Sequence, residues 1–257
     1  MKIAIVQTDI IWGDVQANIS RAKHLIESRS GADLYLLPEM FTSGFNGISE
    51  NEALQNRSEA AGAGLEFLQS QARKMNCALS GSLCLQESGG KKVNRMYFVT
   101  PDSTISYDKR HLFGYGGEGE QYKAGSERVI SEWKGVRFLL SVCYDLRFPV
   151  WLRNRGDYDV LLCVASWPES RRFAWDSLLR ARAIENQCFV AACNRVGQDP
   201  SCIYNGGSVL LDPLGREITS CPDSKEDIAI GEADMEQLKL QRRAFPVLAD
   251  SDDFRIV

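Results

Sequence analysis

The sequence is poor in the residues that build metal centres. It has only two histidines, His24 and His111, far apart in the chain, and none of its eight cysteines falls in a C-x-x-C pair. A zinc site from such ligands is not expected; nor is the carboxylate and histidine cluster of a metal-dependent phosphoesterase. Long apolar runs are missing too. Nothing approaches the ~20 residues of a membrane span, and Met1 to Ile11 lacks the apolar core and cleavage site of a signal peptide. Charge of one sign is also scarce. Lys+Arg number 30 against Asp+Glu 34, a formal net charge of -4, without the basic stripe of a nucleic-acid binder. No linker or low-complexity segment interrupts the chain, so residues 1–257 read as one domain. These absences point to the cytoplasm, where cysteines stay reduced and mostly serve as small buried hydrophobes.

What is present is ordinary for a globular protein, 44% hydrophobic and 25% charged. The order of segments is more informative. Lys2 to Thr8 reads as a buried strand, Val15 to Ser30 as a helix with Ile19, Ala22, Leu25 and Ile26 at helical spacing, and Asp33 to Leu37 as a second strand. Strand–helix–strand is the usual opening of a parallel α/β sheet. A helix over Gly64 to Met75 is followed by strands at Ala78 to Gln86, Arg95 to Thr100 and Ser103 to Asp108. Gly114 to Gly125 is Gly-rich and reads as an irregular loop over a site. Val136 to Val142, a short helix at Pro149 to Asn154, and Val160 to Ala165 echo the opening unit weakly. The helix Trp175 to Gln187 and strands at Phe189 to Asn194, Ser208 to Leu211 and Ile228 to Glu232 complete the pattern, with a hairpin turn at Asp212 to Gly215.

In open α/β sheets ligands gather at the carboxyl ends of strands. That rule selects Glu39, Lys109 and Cys143, each just past a strand end. Each also has a plain reading. A glutamate after a strand is commonly a cap or surface charge, a lone lysine is no more informative, and most cysteines are structural. Cys143 stands before a helical start, a placement expected to lower its pKa below the ordinary ~8.5.

Three segments carry a resemblance. Leu37-Pro38-Glu39-Met40-Phe41, Tyr107 to Phe113 (YDKRHLF) and Cys143 to Pro149 (CYDLRFP) closely resemble the three signature blocks of the nitrilase, or carbon–nitrogen hydrolase, superfamily, in the family's order. The similarity continues through Ala181 to Gln187 and Tyr204 to Ser208. It implies an α/β fold of the four-layer α–β–β–α sandwich type and a Glu–Lys–Cys triad. By position Glu39 would be general base and acid, Lys109 the electrostatic stabiliser and Cys143 the nucleophile. The second glutamate of the family, seven residues before a glycine, falls on Glu118 ahead of Gly125. In that scheme Cys143 attacks an amide carbonyl to give a thioester, while Lys109 and the Tyr144 N–H hold the oxyanion. Glu39 moves the protons. No metal or cofactor has a task.

Pro38 to Phe45 and Ser166-Trp167-Pro168 with Arg171, Arg172 and Trp175 look most like the bacterial omega-amidases, which implies 2-oxoglutaramate or 2-oxosuccinamate as substrate. A distal carboxylate wants a cation, and Arg147, Arg171 and Arg172 are candidates, although each is as readily a structural ion pair. Phe45, Tyr115, Tyr144 and Trp167 are candidate pocket walls, or simple packing. The alternatives are hydrolysis of deaminated glutathione, an N-carbamoyl amino acid or a nitrile, and a catalytically dead scaffold. The resemblance also implies a homodimer or larger homo-oligomer, with the Trp175 to Gln187 helix, the region after Pro149 and the tail 242–257 at the interface.

Overall fold

The computed structural model describes residues 1–45, 53–87 and 90–256. Five strands open the chain: β1 (Lys2–Gln7), β2 (Leu34–Leu36), β3 (Ala78–Gln86), β4 (Lys92–Val99) and β5 (Thr104–Asp108). The next four are β6 (Ile130–Trp133), β7 (Val136–Val142), β8 (Val160–Ala165) and β9 (Phe189–Asn194). A small ribbon of β10 (Val196–Gln198) and β11 (Ile203–Asn205) precedes β12 (Val209–Leu211), β13 (Glu217–Ser220) and β14 (Asp227–Glu232). Two six-stranded sheets result, ordered β14-β1-β2-β3-β4-β5 and β13-β12-β9-β8-β7-β6. The helices are α1 (Val15–Ser28), α2 (Ala53–Met75), α3 (Glu118–Gln121), α4 (Pro149–Leu152), α5 (Arg172–Asn186) and α6 (Met235–Ala244).

Alternation along β1 shows how the layers arise. Successive side chains of a strand point to opposite faces. Ile3 and Ile5 therefore enter a core shared with Phe138, Leu140 and Leu162 of the second sheet, while Ala4 and Val6 meet Ala22 and Ile26 of α1 and Leu68 and Ala72 of α2. Phe98 and Phe138 touch across the two sheets with centroids 5.1 Å apart. Trp175, Leu179 and Ala183 of α5 join the core from the second sheet's side. Helix, sheet, sheet and helix are thus stacked in the four layers expected.

Both strand–helix–strand units are present, with β1 parallel to β2 and β7 parallel to β8. The sequence reading needs four corrections. Helix α2 begins well before Gly64, because Gly64 is a close-packing residue inside the helix: a Cβ there would lie 2.7 Å from Leu83. The Gly-rich stretch after Phe113 is not wholly irregular, since it contains the single turn α3. Strand β13 forms the second arm of the hairpin expected around Asp212 to Gly215, an arm given no bounds beforehand. The ribbon β10–β11 and the strand β6 were not foreseen. Neither was α6, a largely polar helix with only Leu238 buried. Its Arg242 donates to the carbonyls of Gln187 (2.9 Å) and Tyr158 (2.9 Å) and pairs with Asp159 at 3.0 Å, so the start of the 242–257 tail is tied to its own chain. Val257 lies outside the described residues. No helix among them is long and apolar enough to cross a membrane.

Candidate active site

Four strand ends meet at one place. Glu39 follows β2, Lys109 follows β5, Cys143 follows β7 and Ser166 follows β8. The first two belong to one sheet and the last two to the other, so the site forms where both sheets open at the same edge. Glu39 and Lys109 are buried, and Glu118 is carried into contact with them by α3.

The ammonium of Lys109 lies 3.1 Å from Glu39 Oε1 and 2.9 Å from Glu118 Oε2. Burial opposes its charge, but the two carboxylates outweigh burial and raise its pKa. Glu118 is raised by burial, and Glu39 adds to the shift while Lys109 opposes it. Its Oε2 also accepts from the Phe113 main-chain N–H, which anchors the turn. Glu39 is held on both oxygens: Asn94 Nδ2 donates to Oε1 at 2.7 Å and the Ser166 N–H to Oε2 at 2.8 Å. A carboxylate with three fixed donors has little freedom to rotate. Gly125 permits the close approach that places Lys109, since a Cβ there would lie 2.1 Å from the Asp108 carbonyl oxygen.

Cys143 has φ +48°, the left-handed region that a side chain rarely adopts, and opens a five-residue 3-10 turn, Cys143–Arg147. Such a conformation costs on the order of 1–3 kcal/mol and must be held by its surroundings. Its thiol is not shifted down as the helical start led us to expect. Burial first, and then the Glu39 charge, push it well above the ordinary range, while Lys109 pulls the other way. Desolvation of a thiolate outweighs the dipole of one short turn. The resting group is therefore a thiol that needs a base. Burial also lifts Cys163 and Cys188 to about 12, but neither lines the pocket of Glu39 and Lys109. Among the described residues no disulfide joins two cysteines.

The thiol faces a pocket of ≈ 470 Å³, counted out to its open mouth. Of the residues expected there, Glu39, Phe45, Lys109, Cys143, Tyr144, Arg147 and Trp167 line it, as does Arg171. Two expectations fail. Tyr115 is 90% exposed and leans its ring on Phe113 outside the pocket. Arg172 turns away to pair with Asp176 and Asp223, both at 2.8 Å. It starts α5, and the helical twist that brings Arg171 to the pocket carries its neighbour to another face. Phe113, Ser166, Pro168, Cys202 and Tyr204 also line the pocket. They had been quoted only within motifs or, for Cys202, among the cysteines. Ser166 lies just past β8, so the strand-end rule would have found it had it been applied to that strand as well.

The charged lining is the distinctive feature. Arg147 stacks 4.9 Å from the Trp167 ring and Arg171 5.2 Å from the Phe113 ring. Among the described residues neither guanidinium has a carboxylate partner, whereas Arg95, Arg128, Arg137, Arg172, Arg182 and Arg242 do. No cluster of three or more His, Cys, Asp or Glu side chains suited to a metal occurs among the described residues.

Comparison with known proteins agrees with this geometry. Omega-amidase YafV of Escherichia coli K12 is 44% identical over 259 residues, spanning 100% of this chain and 98% of that protein. The 2-oxoglutaramate amidase of Bacillus subtilis is 35% identical over 96% of each. Among solved structures, a CN-hydrolase superfamily protein of Xanthomonas campestris with an arsenic adduct in its active site superposes with TM-score 0.93 and 41% identity, covering 100% and 99% of the two chains. The carbon-nitrogen hydrolase family model matches residues 2–243. With the sandwich, the strand-end cluster and these likenesses in place, the chain belongs to the carbon–nitrogen hydrolase family.

Proposed function

We propose that this chain is an omega-amidase. In this reading it hydrolyses the terminal amide of a small 2-oxo dicarboxylic acid monoamide, such as 2-oxoglutaramate or 2-oxosuccinamate, to ammonia and the diacid. The observation that carries the reading is the pair Arg147 and Arg171, two guanidiniums that line the pocket holding Cys143 and have no carboxylate partner among the described residues. Both side chains are half-buried, and a planar guanidinium in such a place suits a charge-assisted hydrogen bond to a substrate carboxylate. The names borne by the Escherichia coli and Bacillus subtilis relatives point the same way.

The geometry supports a two-step reaction. Glu39 takes the Cys143 proton as the sulphur attacks the amide carbon, and Lys109 with the Tyr144 N–H receives the oxyanion. Collapse breaks the C–N bond, with the proton passing from Glu39 to departing ammonia, and leaves a thioester on Cys143. Water then attacks that thioester, giving its proton through Glu39 to the leaving thiolate. Glu118 holds Lys109 charged and in place.

Two further parts of the reading concern the whole molecule. Val150, Phe173 and Ile184 are exposed on α4 and α5, a surface that a second copy would cover in a homodimer together with the 242–257 tail. The cytoplasm suits a chain whose cysteines form no disulfide among the described residues.

The decisive experiment compares kcat/KM for 2-oxoglutaramate and deaminated glutathione, with mass spectrometry of the acylated protein. The expected result is preference for 2-oxoglutaramate and an adduct on Cys143. A deaminated-glutathione preference of orders of magnitude, or an adduct on another cysteine, overturns the reading.

A further inference from the structure

Asp145 makes no hydrogen bond to Glu39, Lys109, Glu118 or Cys143, and it does not line the pocket. It is nevertheless fully buried and serves four donor positions. Its Oδ1 accepts from the His111 main-chain N–H at 2.9 Å and lies 2.8 Å from His111 Nδ1. Its Oδ2 accepts from the Tyr107 hydroxyl at 2.7 Å and from the Val142 N–H at 3.0 Å. Four donors fill the capacity of a carboxylate.

The places of those donors in the chain are what matter. Tyr107 and His111 flank Lys109 on either side, and Val142 immediately precedes Cys143. One buried carboxylate therefore ties the end of β5 in one sheet to the turn after β7 in the other. The Tyr107 hydroxyl extends the tie, accepting from the Arg110 N–H (3.1 Å) and from Trp151 Nε1 (3.1 Å) of α4. The His111 ring is clamped against Phe148, with centroids 3.7 Å apart.

We propose that Asp145 is a positioning residue for the hydrolysis, a brace that sets the distance between the Lys109 ammonium and the Cys143 thiol across the two sheets. The inference rests on the assignment of those two groups to the reaction. Cys143 sits in a left-handed conformation that its own side chain disfavours, so its turn must be gripped from outside. The attraction that Lys109 exerts on a thiolate weakens as the two move apart. Burial and the neighbouring Asp145 charge keep Tyr107 protonated, hence a permanent donor.

Asparagine tests the brace because each oxygen takes two donors. Whichever oxygen becomes an amide NH2, that group confronts at least one fixed N–H. Asp145→Asn is expected to lower kcat for 2-oxoglutaramate about 100-fold while KM stays within about threefold. The pH midpoint of Cys143 alkylation by iodoacetamide should move upward, because Lys109 then favours the thiolate from farther away. Tyr107→Phe should shift both readouts in the same direction by less. A folded Asp145→Asn that keeps kcat within about threefold, or loses kcat with the alkylation midpoint unmoved, overturns the proposal. If Asp145→Asn does not fold, Tyr107→Phe decides, and wild-type values in both readouts overturn it. Alkylation needs no amide substrate, so a wild-type protein that spares 2-oxoglutaramate defeats the omega-amidase reading and leaves the brace to be judged on its own.

Discussion

Glu39→Gln separates two effects that are usually lost together. Glutamate accepts from Asn94 and Lys109 on Oε1 and from Ser166 on Oε2. Glutamine offers one oxygen, so its NH2 faces either the Ser166 N–H or the Asn94 amide and Lys109 ammonium. Each donor orphaned in this way costs about 1–3 kcal/mol, and a domain of this size registers 1 kcal/mol as roughly 2–4 °C in Tm. Turnover loses its proton carrier, a change on the order of 10²–10⁴ in kcat. The thiol, however, should become easier to ionise. Glu39 is one cause of its elevated pKa and Lys109 opposes it, so removing the carboxylate charge leaves the lysine less contested. The assay pairs steady-state ammonia release with the rate of Cys143 alkylation against pH. The variant should be nearly inert toward amide yet alkylate with a lower midpoint than wild type. An unmoved or raised midpoint would refute the electrostatic account, and kcat within tenfold of wild type would refute the role of Glu39.

Arg147→Met and Arg171→Met each remove a charge-assisted contact worth about 1.5–3 kcal/mol, so kcat/KM for 2-oxoglutaramate should fall roughly 10- to 100-fold while a neutral short amide is little affected. Equal losses on both substrates would show that the guanidiniums only pack. Gly125→Ala forces a Cβ into the Asp108 carbonyl, and its activity should drop more than its stability because the strain falls next to Lys109. Retention of full kcat would contradict this. Arg242→Ala leaves two carbonyls and Asp159 short of a partner, a loss of about 1–3 kcal/mol in urea melts. Burial raises the Asp159 pKa, but Arg137 and Arg242 overcome it and hold the group below its ordinary range. Its contribution is accordingly present above ~pH 4 and lost as pH falls through the lower folded value. The gap between wild type and Arg242→Ala should therefore narrow in acid, and a gap independent of pH would be the contrary result.

The parts of the fold legible in the sequence were those dominated by one physical signal. The strands β3, β7, β8 and β9 begin and end as their apolar runs do. Glu39, Lys109 and Cys143 were reachable because strand ends are where an α/β sheet exposes side chains to a ligand. Their convergence with Glu118 depends on a single helical turn inside a Gly-rich stretch, where neither periodicity nor propensity speaks. Helix α6 escaped because it buries almost nothing and is held by Arg242 and by its Asp234 cap. Of the neighbouring candidates Arg171 and Arg172 only Arg171 lines the pocket, a distinction between adjacent residues that depends on where the following helix starts. The pKa of Cys143 went the wrong way because a dipole is visible in sequence whereas desolvation is a property of the assembled pocket.

The site's parts are divided between two sheets packed face to face, with side chains such as Phe98 and Phe138 between them. Among the described residues no continuous hydrogen-bond ladder joins the two sheets, only an isolated bridge between Asp9 and Val196. A slip much smaller than the rise of one residue, about 3.3 Å, would leave every strand pairing intact and still part the thiol from its base and its cation. The pocket is thus a vernier, reading the register of one layer against another. Hydrolysis should fade in mild denaturant while circular dichroism still records a native sheet, and remote substitutions between the layers should act on the reaction through displacement, without touching a single reacting group.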